Sequence, residues 1–188
     1  MSELVPIETR RLILKPIEKG DTKILYKWRN NDRFTLLCST RRNKVTFKEF
    51  TAELEKDFAK DRHLQYLIIL KNTDKTIGTL YSYNFNPTDQ HTFVTIFIEK
   101  EYERRGYGVE AIVNFLHLLF RHYKLYKVYM EVYDYNTLSL NTARKAGLSE
   151  EGRFKGHRKI NNIRYDLIRF AVYREHLKNK IAERLISK

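Results

Sequence analysis

The sequence contains few of the residues that would indicate disulfides or flexible linkers. Its 188 residues include one cysteine, three prolines and seven glycines. The single cysteine, Cys38, excludes an internal disulfide and a zinc site built from several cysteines. We find no repeat, linker or low-complexity segment, and the length suits one compact domain with a substantial buried core.

Long hydrophobic runs are also missing. The longest apolar run, Leu64 to Leu70, has the length of a strand, whereas a membrane-spanning helix needs roughly 20 apolar residues. The first residues, Met1 to Pro6, lack the basic and then apolar stretch of a secretory signal. We therefore expect a cytoplasmic protein in a reducing compartment, with no membrane partner.

Positive charge is abundant, with a net charge of +13. Such a surface attracts polyanions, including nucleic acid, anionic membranes and phosphorylated small molecules, although a lysine-rich solvated surface explains the same charge. The 13 tyrosines and 11 phenylalanines fall mostly at strand positions with core-like alternation. Because no recognised RNA or DNA motif accompanies them, nucleic acid is not the expected partner.

The first half of the sequence predicts a sheet with two helices. A capping box, Thr46 to Glu49, begins the second of these helices. Alternation and helical spacing predict the following elements: a strand over Arg11 to Ile17, a helix capped by Asp21 that carries Ile24, Leu25 and Trp28, and strands over Leu64 to Lys71, Thr76 to Phe85 and Thr92 to Ile98.

The second half opens with a glycine turn and a long helix. Gly106 and Gly108 begin this helix, and the next strand, Tyr126 to Tyr133, is predicted to run parallel to the strand before the glycines because a helical crossover joins them. The remaining predicted elements are a helix over Thr137 to Lys145 ended by Gly147, two strands flanking Asn161-Asn162, and a C-terminal helix marked by Leu177, Ile181 and Leu185.

The strand-glycine-helix arrangement can bind an anion. Backbone N–H groups in the first turn of a helix have no intrahelical partner, and the macrodipole adds positive potential there. An ordinary strand-to-helix turn that binds no anion explains the same sequence pattern. A Walker loop is excluded because Val109-Glu110 follows Gly108.

The sequence also matches the dinucleotide-binding fingerprint G-x-G-x-x-A. Its small residues would be Gly106, Gly108 and Ala111, and its acidic residue Glu131. That fold usually places its fingerprint early and repeats strand-helix units after it, whereas here a hairpin follows within about 20 residues. The position therefore favours another phosphate-binding fold.

Longer stretches resemble a known family. Glu101 to Ala111 resembles the acetyl-CoA signature of the GNAT superfamily, and Asn136 to Ser139 with Lys145 to Leu148 resembles its second motif. Three further segments are similar to the branch that includes ribosomal-protein N-terminal acetyltransferases: Glu8 to Leu12, Trp28 to Asn30, and Tyr165-Asp166. The resemblance covers residues 8 to 173.

The resemblance implies an α/β, single-domain GNAT-like fold, with a mixed central sheet of about seven strands flanked by helices. It implies an N-acyltransferase domain over 8–173, and we predict a C-terminal helical extension over 174–188. The implied activity is acetyl-CoA-dependent transfer of an acetyl group to a primary amine by direct attack. The partner is a small-molecule or peptide amine acceptor, no metal is implied, and a homodimer is left open.

Site residues follow from the matched motifs. The strand before the turn would splay from its neighbour and pair with pantetheine, the glycine turn would hold the diphosphate, and the second motif would contact the cofactor arm. The implied cofactor-binding residues are Ile96, Phe97, Ile98, Arg104, Arg105, Gly106, Tyr107, Gly108, Val109 and Asn136. Trp28, Arg29 and Asn30 lie where the family builds its acceptor pocket, or form a core tryptophan with a helix C-terminal cap.

Two positions depart from the family pattern. Glu103 stands where Gln or Arg is usual. An acidic residue beside a diphosphate is unfavourable unless it points away, so Arg104 or Arg105 is expected to supply the missing interaction. Ala143 stands where many members have the general-acid tyrosine. Ser139, the nearest hydroxyl that also matches the related branch, is the candidate acid, or else a helix N-terminal residue hydrogen-bonded to backbone. The candidate base is Glu99 or a chain of water molecules, and a solvated strand end explains Glu99 equally well. A nucleic-acid-binding module and a non-catalytic CoA-binding protein remain the alternatives.

Overall fold

The structure is a computed structural model that describes residues 5–38, 43–59 and 64–178. Its strands are β1 Ile7–Glu8, β2 Leu12–Pro16, β3 Leu64–Leu70, β4 Thr76–Asn86, β5 His91–Ile98, β6 Lys127–Tyr133, β7 Ser149–Ile160 and β8 Ile163–Tyr173. Its helices are α1 Thr22–Arg29, α2 Asp32–Cys38, α3 Phe47–Ala59, α4 Tyr107–His122, α5 Thr137–Lys145 and α6 Arg174–Lys178. Within these ranges no helix is both long and apolar enough to cross a membrane.

The strands form a mixed sheet in the order β1-β2-β3-β4-β5-β6-β8-β7. β5 and β6 pair in parallel, as predicted from the helical crossover between them, and the other registered pairs are antiparallel. The sheet has eight strands where about seven were predicted. The additional strand is β1, whose two residues are too few to show an alternating pattern.

The chain divides into two compact units, of which the first comprises Met1–Asn84 and Ile96–Ile112. Its core contains Trp28, which is 1% exposed, together with residues from α1, α2, α3, β3 and β5. The capping box of α3 is present: the Thr46 N–H donates to Glu49 Oε2 at 2.7 Å, and the Glu49 N–H donates to Thr46 Oγ1 at 3.3 Å. The hydrogen bonds from Thr46 lower the pKa of Glu49.

The second unit comprises Phe85–Thr95 and Val113–Lys188. In it, α5 packs Leu140 and Ala143 against Val132, Ile168 and Phe170. α5 ends before Gly147, whose φ of +72° suits the left-handed position after a helix. The β7–β8 turn has positive φ at both central residues, Asn161 and Asn162, as the two-residue hairpin requires.

The structure corrects one local prediction, adds one helix and leaves another prediction partly outside its range. Asp21 occupies the position before α1 but does not cap it, because its carboxylate accepts the Glu18 N–H at 2.9 Å instead. Helix α2 was not predicted. The predicted C-terminal helix begins as α6, and its markers Ile181 and Leu185 lie outside the described residues.

Candidate active site

The C-terminal end of β5 has a backbone edge that faces away from β4. The Phe97 carbonyl oxygen occupies the place where a Cβ on Gly78 would stand, and the Glu99 N–H donates to Ile77 O at 2.8 Å, so residues 97 and 99 face β4. Because successive backbone carbonyls of a strand point to opposite sides, the carbonyls of Ile96 and Ile98 point away from β4.

The ladder between β5 and β6 ends before this edge. Its registered pairs run from His91 with Lys127 to Val94 with Met130, while β5 continues to Ile98. The register therefore includes none of residues 96 to 98. The backbone groups of residues 96 to 98 on this side of β5 can therefore pair with groups outside the β5–β6 ladder.

Helix α2 supplies side-chain donors to the same edge. Arg33 Nη1 donates to the Ile98 carbonyl at 2.9 Å, and Cys38 Sγ lies 3.5 Å from the Ile96 carbonyl. Burial lowers the pKa of Arg33, although a guanidinium stays protonated under ordinary conditions. These residues were missed in the sequence because α2 itself was missed.

The glycine turn after β5 has the backbone geometry of an anion site. Arg104 and Gly106 have φ of +58° and +79°, and α4 begins at the next residue, Tyr107. Turns that combine left-handed residues with a helix N-terminus direct several N–H groups to one side. Arg104 and Arg105 are exposed beside this turn.

Gly108 lies in the first turn of α4, next to the same strand. A Cβ placed on it would lie 3.5 Å from Ile98 Cγ1 and 3.9 Å from Ile96 Cδ1, which are ordinary contacts. The protein itself therefore has room for one methyl group here. Larger side chains would have to displace the isoleucines or extend over the turn.

A buried carboxylate holds the turn against the β1–β2 connection. Glu110 is 8% exposed and accepts from Thr9 Oγ1 at 2.6 Å, the Arg11 N–H at 2.7 Å and Arg11 Nε at 2.7 Å. Arg11 also donates to the Arg105 carbonyl at 2.9 Å and lies 4.6 Å from the centre of the Tyr107 ring. The segment Glu8 to Leu12, noted in the sequence only as a resemblance, thus stabilises the glycine turn.

The Glu110 carboxylate stays ionised although it is buried. Burial acts to raise its pKa, but the hydrogen bonds from Thr9 and Arg11 outweigh it, so the pKa lies below the usual value. The carboxylate is therefore ionised at neutral pH.

Glu103 is paired with a cation. Its carboxylate is in contact with Arg33 Nη2, and the two side chains are 24% and 27% exposed. The sequence left open how an acidic residue is tolerated at this position, and the structure pairs it with a cation from α2.

Glu99, the candidate base, follows β5 directly and does not lie within it. Its Oε1 accepts from Trp28 Nε1 at 3.0 Å and lies 3.5 Å from Lys27 Nζ, and its side chain is 18% exposed. The indole fixes the position of the carboxylate at the end of the strand.

The acceptor candidates on α1 are occupied by internal contacts. Arg29 is 7% exposed, with Nε 3.4 Å from Glu53 Oε2 and Nη1 donating to the Asn43 carbonyl at 3.0 Å. Asn30 follows α1 as its C-terminal cap, and its side chain donates to the Val45 carbonyl and accepts the Val45 N–H. Their role at an acceptor pocket stays a prediction.

The second motif lies in the second unit. Asn136 caps α5 by accepting the Ser139 N–H at 3.2 Å. Ser139 and Asn136 are both half-buried, and Ala143 is packed in the core of this unit. The side chain of Asn136 is therefore used as a helix cap, and the hydroxyl of Ser139 is placed in the first turn of the helix.

In the described part of the chain, no group of three or more His, Cys, Asp or Glu side chains is arranged to hold a metal ion. The site consists of backbone groups, cations and carboxylates. It is suited to binding an anion and to acid–base chemistry.

The fold is similar to those of several solved acetyltransferase structures. A spermidine N-acetyltransferase from Vibrio cholerae in complex with CoA and spermine is 20% identical, with a TM-score of 0.83 over 91% of this chain and 100% of that one. RimL, a ribosomal L7/L12 alpha-N-protein acetyltransferase in complex with coenzyme A, is 15% identical, with a TM-score of 0.77 over 91% and 98%. At these identities the likeness shows the fold.

A comparison with curated protein sequences finds no significant match. The model of the acetyltransferase (GNAT) domain, in contrast, matches residues 11–149, which is most of the chain. That span includes both resembling motifs, the β5 edge and the glycine turn. The chain therefore belongs to the GNAT acetyltransferase family.

Proposed function

We propose that the protein transfers an acetyl group from acetyl-CoA to the primary amine of a protein N-terminus or a small molecule, by direct attack. The observation that carries this proposal is the turn from Arg104 to Gly106. Its two left-handed residues lead directly into the N-terminus of α4, beside exposed arginines. Helix N-termini of this kind favour phosphate groups.

The donor would bind along two adjacent features of the first unit. The diphosphate of CoA would lie at the N–H groups of Gly106 to Val109, with Arg104 and Arg105 adding charge. The pantetheine would lie along the edge of Ile96 to Ile98 that faces away from β4. Asn136, at the start of α5, is proposed to contact the arm of the donor.

The chemistry needs a neutral amine, a polarised thioester and a proton for the departing thiolate. The amine nitrogen attacks the thioester carbonyl, a C–N bond forms, and the C–S bond breaks. We assign the proton removal to Glu99, directly or through water, because its carboxylate is fixed by Trp28 at the end of β5. Ser139 is assigned as the group that returns a proton to the thiolate.

The acceptor pocket is proposed to lie at the C-terminal end of α1. Trp28 would contribute to this pocket by holding the Glu99 carboxylate in place. Arg29 and Asn30 would contribute by holding the segment around Val45. The global charge of +13 repels polycations, and the phosphates of CoA offset only about four units of it. We therefore propose an amine on a neutral or anionic body, such as a protein N-terminus, in preference to a polyamine.

The test is a thiol-release assay with acetyl-CoA and a panel of peptide N-termini, amino sugars, aminoglycosides and polyamines. Amine-dependent release of CoA, with the acetylated amine identified by mass spectrometry, would support the proposal. CoA binding without transfer to any amine would favour the non-catalytic alternative. We also propose a cytoplasmic location, in keeping with the single cysteine, which cell fractionation tests. We propose that the protein forms a homodimer, which light scattering tests.

A further inference from the structure

Glu103 creates an electrostatic problem for the proposed donor site. It directly precedes Arg104, the first left-handed residue of the turn. A carboxylate free to move at this position would add negative charge close to the place where a diphosphate is proposed to bind. Because like charges repel, binding would weaken unless the carboxylate is held and neutralised.

Arg33 is placed to do both. Its guanidinium contacts the Glu103 carboxylate through Nη2, donates to the Ile98 carbonyl through Nη1 at 2.9 Å, and lies 5.4 Å from the centre of the Phe97 ring. A planar guanidinium with several fixed contacts is more restricted than a lysine ammonium. The three contacts join α2 to the end of β5 and to the residue before the turn.

We propose that Arg33 is a positioning residue for the acyl donor: it holds and neutralises Glu103, so that the turn presents net positive charge to the diphosphate. This inference rests on the proposed function. It also explains how the chain tolerates an acidic residue where Gln or Arg is usual in the family. The cation that the signature lacks at residue 103 is supplied by α2, 70 positions earlier in the sequence.

The first experiment compares wild type with Arg33→Met, which keeps an unbranched apolar stem but removes the charge and the guanidinium contacts with Glu103, Ile98 and Phe97. We expect KM for acetyl-CoA to rise about fivefold to tenfold, which is the scale of one unit charge acting on a diphosphate near a protein surface. S-acetylpantetheine provides the matched donor, since it has the thioester and amides but no diphosphate. Its KM should change less than twofold.

The second experiment is a rescue. Glu103→Gln combined with Arg33→Met removes both charges of the pair, so the net charge beside the turn returns to that of the wild type, and KM for acetyl-CoA should lie within twofold of the wild-type value. Arg33→Lys should keep most of the wild-type affinity, because an ammonium can still pair with Glu103. The deficit of Arg33→Met should also shrink between low and high salt, since screening weakens the repulsion. Thermal unfolding confirms that each variant is folded.

An equal loss for acetyl-CoA and S-acetylpantetheine would overturn the proposal, because Arg33 would then act on β5 and not on the charge of Glu103. A double variant whose KM for acetyl-CoA stays as high as that of Arg33→Met would overturn it too. If Arg33→Met does not fold, two other variants address the same question. For Arg33→Lys and for Glu103→Gln, KM for acetyl-CoA is compared with KM for S-acetylpantetheine at low and at high salt. Failure of the wild type to bind CoA at all would refute the proposed function itself.

Discussion

The contacts around Gly108 predict a graded response to added methyl groups. In Gly108→Ala the new Cβ would make only ordinary contacts, at 3.5 Å and 3.9 Å, with the side chains of Ile98 and Ile96. Because alanine also costs less backbone entropy than glycine in a helix, the free energy of unfolding should stay constant or rise by up to about 1 kcal/mol. The affinity for CoA should change less than threefold.

In Gly108→Val two further methyl groups need space. The isoleucines already fill one side, so the valine must push against them or extend over the turn where phosphate is proposed to bind. We expect CoA affinity to fall by on the order of tenfold or more, which corresponds to about 1.4 kcal/mol. Strain against the strand and the β-branched side chain should cost about 1 kcal/mol of stability.

Calorimetric titration with CoA and thermal unfolding measure the two effects separately. Gly20→Val is the matched control, because a Cβ on Gly20 would meet no heavy atom within 4 Å and the residue lies outside the proposed donor site. CoA affinity of the control should equal that of wild type. Wild-type affinity in a folded Gly108→Val variant would refute the claim that phosphate approaches this backbone.

Three other predictions concern catalysis, pH and the acceptor. Ser139→Ala should lower kcat by about 100- to 10,000-fold with little change in KM for acetyl-CoA, and a loss under threefold would assign the proton to another group. Glu110→Gln should cost about 1–3 kcal/mol of stability at neutral pH in urea titrations. Because the pKa of Glu110 lies below its usual value of 4.5, that difference should disappear as the pH falls through the lowered pKa, and a constant difference would contradict the assigned charge. In the amine panel, an anionic acceptor should lose its advantage in salt, and polyamines with the highest kcat/KM would show that the local pocket overrides the net charge.

The sequence predicted the features whose causes are local. The capping box at Thr46, the glycine turn before a long helix, the end of α5 before Gly147 and the turn at Asn161-Asn162 each depend on a few neighbouring residues, and the structure confirms them. The parallel pairing of β5 and β6 was predictable because a helical crossover allows little else.

Features that depend on distant residues were not predictable in the same way. α2 buries only Phe34, so its seven residues show no helical periodicity. The contact between Arg33 and Glu103 spans 70 positions, and that between Arg11 and Glu110 spans 99. A single sequence carries no record of such pairs. Glu103 itself was the available signal, since an acidic residue beside an anion site needs a cation.

The central claim is that the first unit binds CoA at the glycine turn, and calorimetric titration of the folded wild-type protein with CoA tests it most directly. We predict saturable binding of one CoA per chain, with an affinity that falls as salt is raised because phosphate contacts are screened. Absence of measurable binding by a protein shown to be folded would contradict the account.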